Sequence, residues 1–168
     1  ILGVKYVQDI KAINGIVNFD NLGLTSKGLK GDILEEQVVA KGSLKDFADP
    51  ALDIELSSLI PLKRLQAGLK DRLNIVIPLV VEGNGRISVS YRGQPKAKAL
   101  PEVLGALEIE GGKIIPEIAL PAIEDINGKI NFTYNSAQWQ GLAFNLWDAG
   151  YTTSGTMARF INPDILLE

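Results

Sequence analysis

The stretch Ile13-Asn14-Gly15-Ile16-Val17-Asn18-Phe19 occurs a second time, as Ile126-Asn127-Gly128-Lys129-Ile130-Asn131-Phe132. Held at that one spacing and with no gap, Ile10 falls on Ile123, Gly28-Leu29 on Gly141-Leu142, Gly42 on Gly155, Phe47 on Phe160 and Pro50 on Pro163. The matches fall on Gly, Pro and aromatic positions, where backbone conformation or packing restricts the residue. This is the mark of an internal duplication, and a repeat governs how everything around it is read.

Inside the first copy, residues 13–56, apolar and polar residues alternate. Ile13, Gly15, Val17 and Phe19 share one face, with Asn14 and Asn18 on the other; Leu29, Gly31 and Ile33 then alternate with Gly28, Lys30 and Asp32. Val38 to Leu44 and Leu52 to Leu56 continue the pattern. A period of two means strands with one buried and one wet face. Breaks are expected at Asp20-Asn21, Glu35-Glu36 and Asp46 to Pro50, which are clusters of turn formers. The second copy, residues 123–168, repeats this: Ile126, Gly128, Ile130, Phe132 and Tyr134 face one way, followed by Leu142, Phe144 and Leu146, then Tyr151 to Met157, then Ile165 and Leu167. Trp139 and Trp147 have the other parity, which puts them outside or at strand ends.

Between the copies the period changes. Leu62, Leu65 and Leu69 lie three and four apart with Lys63, Arg64, Lys70 and Asp71 between them, which predicts a short amphipathic helix near 59–71, with Pro61 in its first turn and Ser57 or Ser58 as its cap. Such a helix could lie on a membrane or plug a groove; the simpler reading is a helix packed on the end of a sheet. Strands resume after it. Asn84-Gly85 reads as a two-residue hairpin, Ile87, Val89 and Tyr91 alternate behind it, and Gln94 to Pro101 reads as a polar loop. Gly111-Gly112 is expected to turn the chain, and Pro116 and Pro121 point to an edge or an irregular crossing.

The expected fold is therefore mainly β: about ten strands in a long curved antiparallel sheet, either a repeating β-groove or an open sandwich, with one short helix. Residues 1–168 form one continuous β-rich segment, with repeats at 10–56 and 123–168 and a helix-plus-strand connecting unit at 57–122; residues 1–10 read as the tail of an earlier repeat. The chain opens on Ile1 and stops at Ile165-Leu166-Leu167-Glu168 inside an expected strand, so it is expected to be a fragment of a longer protein.

Composition narrows the chemistry. There is no His and no Cys, so neither an ordinary zinc site nor a His-based or Cys-based catalytic arrangement is available. A net charge of −3 offers no basic field for nucleic acid. The carboxylates fall in expected turns or on the wet face and do not cluster. Gly83-Asn84-Gly85 is too short for a phosphate loop and precedes a strand, and the acidic spacing gives no calcium loop. No cofactor, metal or catalytic residue is expected.

The ordered set of motifs resembles the repeat of the AsmA family of bacterial envelope proteins. Ile123-Glu124-Asp125-Ile126-Asn127-Gly128-Lys129-Ile130-Asn131-Phe132 leads to a Gly-Leu strand and ends at Asn162-Pro163-Asp164-Ile165; the first copy ends at Asp49-Pro50-Ala51-Leu52 but has Lys11-Ala12 where the second has Glu124-Asp125. Gly105 to Lys113 resembles the strand and turn leading into the next repeat. The resemblance implies a periplasmic body anchored in the inner membrane by a helix outside this stretch, a long β-groove lined with apolar side chains, and a part in phospholipid transport and outer-membrane homeostasis.

On that reading acyl chains lie along the apolar face, and the lining is Val17, Phe19, Leu29, Ile33, Ile87 and Val89, with Ile130, Phe132, Phe144 and Leu146 from the second copy. The partners are phospholipid, neighbouring repeats of the parent chain and envelope proteins, with a homodimer of the isolated segment through its sheet edges. The alternative is a structural or assembly module without lipid, whose β core is closed. Core and trough predict the same alternation, so the discriminating observation is whether the apolar face is open or filled by its own side chains.

Overall fold

The computed structural model describes residues 11–33, 36–73, 79–96, 99–160 and 164–167. The expected repeat tail in residues 1–10, Glu35 and Pro163 lie outside them. The described chain is mainly β. Its strands are β1 (Lys11–Asn14), β2 (Val17–Phe19), β3 (Gly23–Ile33), β4 (Glu36–Lys45), β5 (Ala51–Pro61), β6 (Leu79–Gly93), β7 (Glu102–Pro116), β8 (Ile123–Thr133), β9 (Ser136–Leu146), β10 (Ala149–Ala158) and β11 (Asp164–Leu167); one helix, α1 (Leu62–Leu73), follows β5. They form an open antiparallel sheet, hydrogen-bonded in the order β1-β3-β4-β5-β6-β7-β8-β9-β10-β11, with β2 also on β3. By contacts the chain divides into two compact units, Ile1–Ser58 with Ser88–Val103, and Leu59–Ile87 with Leu104–Glu168.

The two sequence copies make the same local structure 113 positions apart. Gly23–Ile33 corresponds to Ser136–Leu146, Glu36–Lys45 to Ala149–Ala158, and β5 and β11 start at matching residues, Ala51 and Asp164. Register agrees as well: Ser26 pairs Gly42 and Leu29 pairs Ala40 in one copy, Trp139 pairs Gly155 and Leu142 pairs Thr153 in the other. Unusual backbone recurs too. Ala12 and Asp125 have φ 52° and 51°, Gly15 and Gly128 have 145° and 149°, and Asp46 and Arg159 have 58° and 61°.

Several expectations need correction. Asn84-Gly85 is not a hairpin, because β6 runs through it. A type I′ turn needs positive φ at both residues, and neither has it. Gly85 serves packing instead. A Cβ there would lie 2.9 Å from Leu62 Cδ2 and 2.7 Å from Leu107 Cδ1, so any larger residue would push both leucines out of the seat they now share. Gly111-Gly112 does not turn the chain either. β7 continues through it with a bulge, Ile109 pairing Gly128 and Gly112 pairing Ile126, while Gly111 at φ 63° donates its N–H to Asn127 Oδ1 at 2.9 Å. The helix starts later than expected, since β5 holds Ser57, Ser58 and Pro61 in the strand and α1 begins at Leu62. Tyr134 lies past the end of β8 and is exposed.

The buried apolar centre belongs to the second unit. Leu62, Ile109 and Ile126 bury one another, and Leu65, Val81, Leu107 and Ile114 pack around them with Ile123, Ile130, Leu142 and Phe144. Helix α1 is pinned by Gln66, whose Oε1 accepts from Val81 N at 3.2 Å and whose Nε2 donates to Leu79 O. The side chain of Leu69 lies outside the described set. Burying a leucine or isoleucine is worth about 1.5–3 kcal/mol, so three such residues dominate the stability of this unit.

Leu62→Ala is expected to lower the free energy of unfolding by about 2–4 kcal/mol, and Gly85→Val, which overfills the seat, by about 1–3 kcal/mol. Denaturant melts of the two variants check this; a loss below about 0.5 kcal/mol in both would mean that the helix seat does not hold the unit together.

Candidate functional site

In the first unit the register lays out two opposite faces. Phe19, Leu24, Leu44 and Leu52 follow one another across β2, β3, β4 and β5. Behind that row come Val17, Ser26, Gly42 and Ile54, and then Leu29, Ala40 and Leu56. The rows between them read Asn18, Thr25, Ser43 and Asp53, and cross-strand neighbours share a face while adjacent residues do not. One side of this sheet is thus hydrocarbon and the other polar. At strand spacings of ~4.8 Å the row from β2 to β5 spans about 14 Å.

Among the described residues no side chain of that hydrocarbon face is fully buried, and Leu24, Leu44 and Leu52 are half-buried. Among the described residues every apolar side chain classed as buried belongs to the second unit. Phe19 is 80% exposed, and Leu29 and Ile33 are half-buried. Val17 and Leu56 are exposed, and Val89, on β6, is half-buried. Leu24, Leu44 and Leu52 were not among the expected lining residues, although the pairing puts them in one row with Phe19. Leu24 sits just behind the Asp20-Asn21 turn, where sequence alternation has no anchor to count from.

In the second unit the apolar face is partly covered. Ile130 and Phe144 pack against the buried centre beneath α1. Phe132 lies over its register partner Gly105, where any side chain would collide with the ring. Ile87 and Leu146 are half-buried. Beyond them Phe144 stacks on Tyr151, with ring centroids 5.7 Å apart.

Trp139 corrects the parity argument. It pairs Ile130 on one side and Gly155 on the other, so it belongs to the apolar face. The switch is a bulge in β9. Three steps from Leu142 to Trp139 answer two from Thr153 to Gly155, and Gly141, at φ 62°, supplies the extra residue. Its N–H donates to Ser154 Oγ at 3.0 Å. The Trp139 indole then covers Gly155, whose Cβ would lie 2.6 Å from Cζ2. Trp147, by contrast, is 74% exposed just after β9, at a strand end as expected.

The ion pairs lie off the apolar face, although Glu36 shares that face at its end with its register partner Ile33. Lys129 pairs its register neighbour Glu108 at 3.1 Å, Arg92 bridges Asp53 at 3.2 Å and Glu102 at 3.6 Å, and Lys113 meets Glu124 at 2.6 Å. The hydrogen bond that Lys113 Nζ donates to the Glu124 carboxylate, with the charge of that group, holds the lysine pKa above its ordinary value. Among the described residues no polar or charged side chain is buried, no group of carboxylates could hold a metal ion, and no helix is long and apolar enough to cross a membrane. What these faces offer chemically is hydrocarbon contact, without a convergent set of polar groups.

Fold and site together define a class: an antiparallel β protein that keeps one apolar face partly open. Scans of the chain against protein-family models, curated proteins and solved structures give no significant match.

Trp139 Nε1 is buried without a hydrogen-bond partner among the described residues, which predicts an asymmetry. Trp139→Phe deletes an unpaired donor and is expected to change stability by less than about 1 kcal/mol, whereas Trp139→Ala loses about 2–4 kcal/mol. Chemical denaturation followed by far-ultraviolet circular dichroism separates the two. A Trp139→Phe loss well above about 1 kcal/mol would show that the indole N–H is satisfied.

Proposed function

We propose that this chain is a segment of a periplasmic, inner-membrane-anchored bacterial protein of AsmA type, and that it carries phospholipid by holding acyl chains along the apolar side of its sheet. The observation that supports this most is the first unit's face. Rows of Phe19, Leu24, Leu44, Leu52 and their neighbours lie side by side, none of them is buried, and polar residues occupy the alternate rows. A methylene taken from water into such a surface gains ~0.8 kcal/mol. Binding of this kind reads chain length and trough width more than chemistry, and no step of it calls on a cofactor, a metal or a catalytic residue. The motif resemblance supplies the compartment and the cargo class; neighbouring repeats of the parent chain would extend the surface.

The alternative, an assembly module with a closed β core, draws its support from the second unit. There α1 sets Leu62 and Leu65 onto the sheet, and Ile130 and Phe144 serve as packing. The two readings divide the ten expected lining residues: Val17, Phe19, Leu29, Ile33 and Val89 remain candidates for lipid contact, Ile130 and Phe144 are held by the buried centre and Phe132 by its seat over Gly105, and Ile87 and Leu146 are half-buried in the second unit.

Phe19→Asp gives a clean test because the residue is 80% exposed and its loss should leave the melting temperature unchanged. Uptake of a pyrene-labelled phospholipid is expected to weaken about tenfold or more, since a carboxylate is then set against hydrocarbon. Unchanged uptake by a folded variant would exclude this face as the lining.

A further inference from the structure

At one end of the first unit, where β2 turns into β3 and β4 leaves the sheet, Phe19, Leu22, Leu24 and Leu44 form the apolar part of a cavity of about 640 Å³, and Asp20, Lys45 and Asp46 form part of its charged wall. We propose that this cavity, which wraps the end of the sheet and is lined from both faces, seats a zwitterionic phospholipid headgroup, with the amine against Asp20 and Asp46, the phosphodiester against Lys45, which leaves β4 on the polar face beside its register partner Gly23, and the acyl chain leaving over Phe19 and Leu24 on the apolar face. The inference rests on the acyl-binding reading of the same face and adds to it a fixed end and a headgroup preference.

The charges are not needed to build the turns around them. Asp20 Oδ1 accepts from Leu22 N at 2.8 Å and Gly23 N at 3.0 Å, and Asp46 N donates to Leu22 O at 2.6 Å. In the second copy Thr133 Oγ1 takes the matching N–H groups of Asn135 and Ser136 at 3.2 and 3.1 Å, and Arg159 N donates to Asn135 O at 2.8 Å. The backbone is the same, yet Thr133, Ala158 and Arg159 stand where the first copy has Asp20, Lys45 and Asp46, and the Arg159 guanidinium is paired with Asp164. One ammonium and two carboxylates are therefore an addition specific to the first copy.

These groups are also available. Asp46 Oδ1 accepts from Ala48 N at 2.9 Å and Asp49 N at 3.3 Å, but the second oxygen of Asp46, that of Asp20, and Lys45 Nζ have no partner among the described residues. A purely anionic headgroup placed here meets two carboxylates for one ammonium. A zwitterion meets a partner of each sign. Because the wall is exposed to solvent, each pairing shifts affinity by a few-fold and weakens with added salt.

The test is calorimetric titration of the chain, at low salt, with monoacyl phosphoethanolamine and monoacyl phosphoglycerol lipids of equal chain length below their micelle concentrations. The unsubstituted chain is expected to bind the phosphoethanolamine form about two- to fivefold more tightly. An Asp20→Asn, Asp46→Asn double variant keeps the acceptor oxygens that the turns use, and asparagine tolerates the positive φ at position 46; its preference is expected to vanish or reverse. Lys45→Gln is expected to weaken both phospholipids by about two- to fivefold while leaving a long-chain alcohol unaffected. Equal binding of the two headgroups by the unsubstituted chain, or a preference that survives in the double variant, overturns the headgroup seat and leaves acyl binding standing. Failure of every amphiphile, the alcohol included, removes both.

Discussion

A sheet with unlike faces has to cover its apolar side or use it. That constraint follows from the period-two alternation, which places Phe19, Leu24, Leu44 and Leu52 on one side and Asn18, Thr25, Ser43 and Asp53 on the other. Hydrocarbon left in water forgoes about 25 cal/mol for each Å² that burial would have removed. The two units meet the constraint differently. In the second, α1 sets Leu62 into a seat between Gly85 and Gly112 and buries Ile109 and Ile126. In the first, no described apolar side chain reaches that degree of burial. The functional reading rests on this contrast.

Bulges decide which residues belong to the face. A strand with strict alternation keeps one parity along its length; one extra residue reverses it. In β9 the extra residue at Gly141 moves Trp139 onto the same side as Leu142 and Phe144, and in β8 the irregularity at Asp125 lets Ile123 and Ile126 both face the buried centre. The first copy keeps these irregularities at matching positions, Ala12 with the φ of Asp125 and the offset between Ser26 and Leu29 where the second has Trp139 and Leu142. Curiously conserved spacing between the copies thus reflects backbone geometry that side chains alone do not announce.

Much of the fold was legible in the sequence: the β class, the single helix, the alternation, and the turns at Asp20-Asn21 and Asp46 to Pro50. What misled were glycines. Asn84-Gly85 and Gly111-Gly112 look like turn residues, but in this chain glycine serves close approach and bulge formation inside two 15-residue strands. Local composition cannot separate those uses, because the deciding fact is which distant side chain lies overhead: Leu62 over Gly85, Phe132 over Gly105, Trp139 over Gly155. The candidate site was legible in part for the same reason. Phe19 and Val17 could be placed by counting, whereas Leu24, Leu44 and Leu52 join them only through register, and the filling of the face around Ile130 and Phe144 depends on where the helix lands.

The account's central claim is that the open face of the first unit holds acyl chains. Native mass spectrometry of the purified chain, with extraction and identification of whatever it retains, tests that claim most directly. The account predicts a folded protein, monomeric or paired through its sheet edges, that carries phospholipid and releases it when organic solvent is added. A folded monomer that carries none, and takes none up from phospholipid vesicles, would contradict it and leave a structural β module in its place.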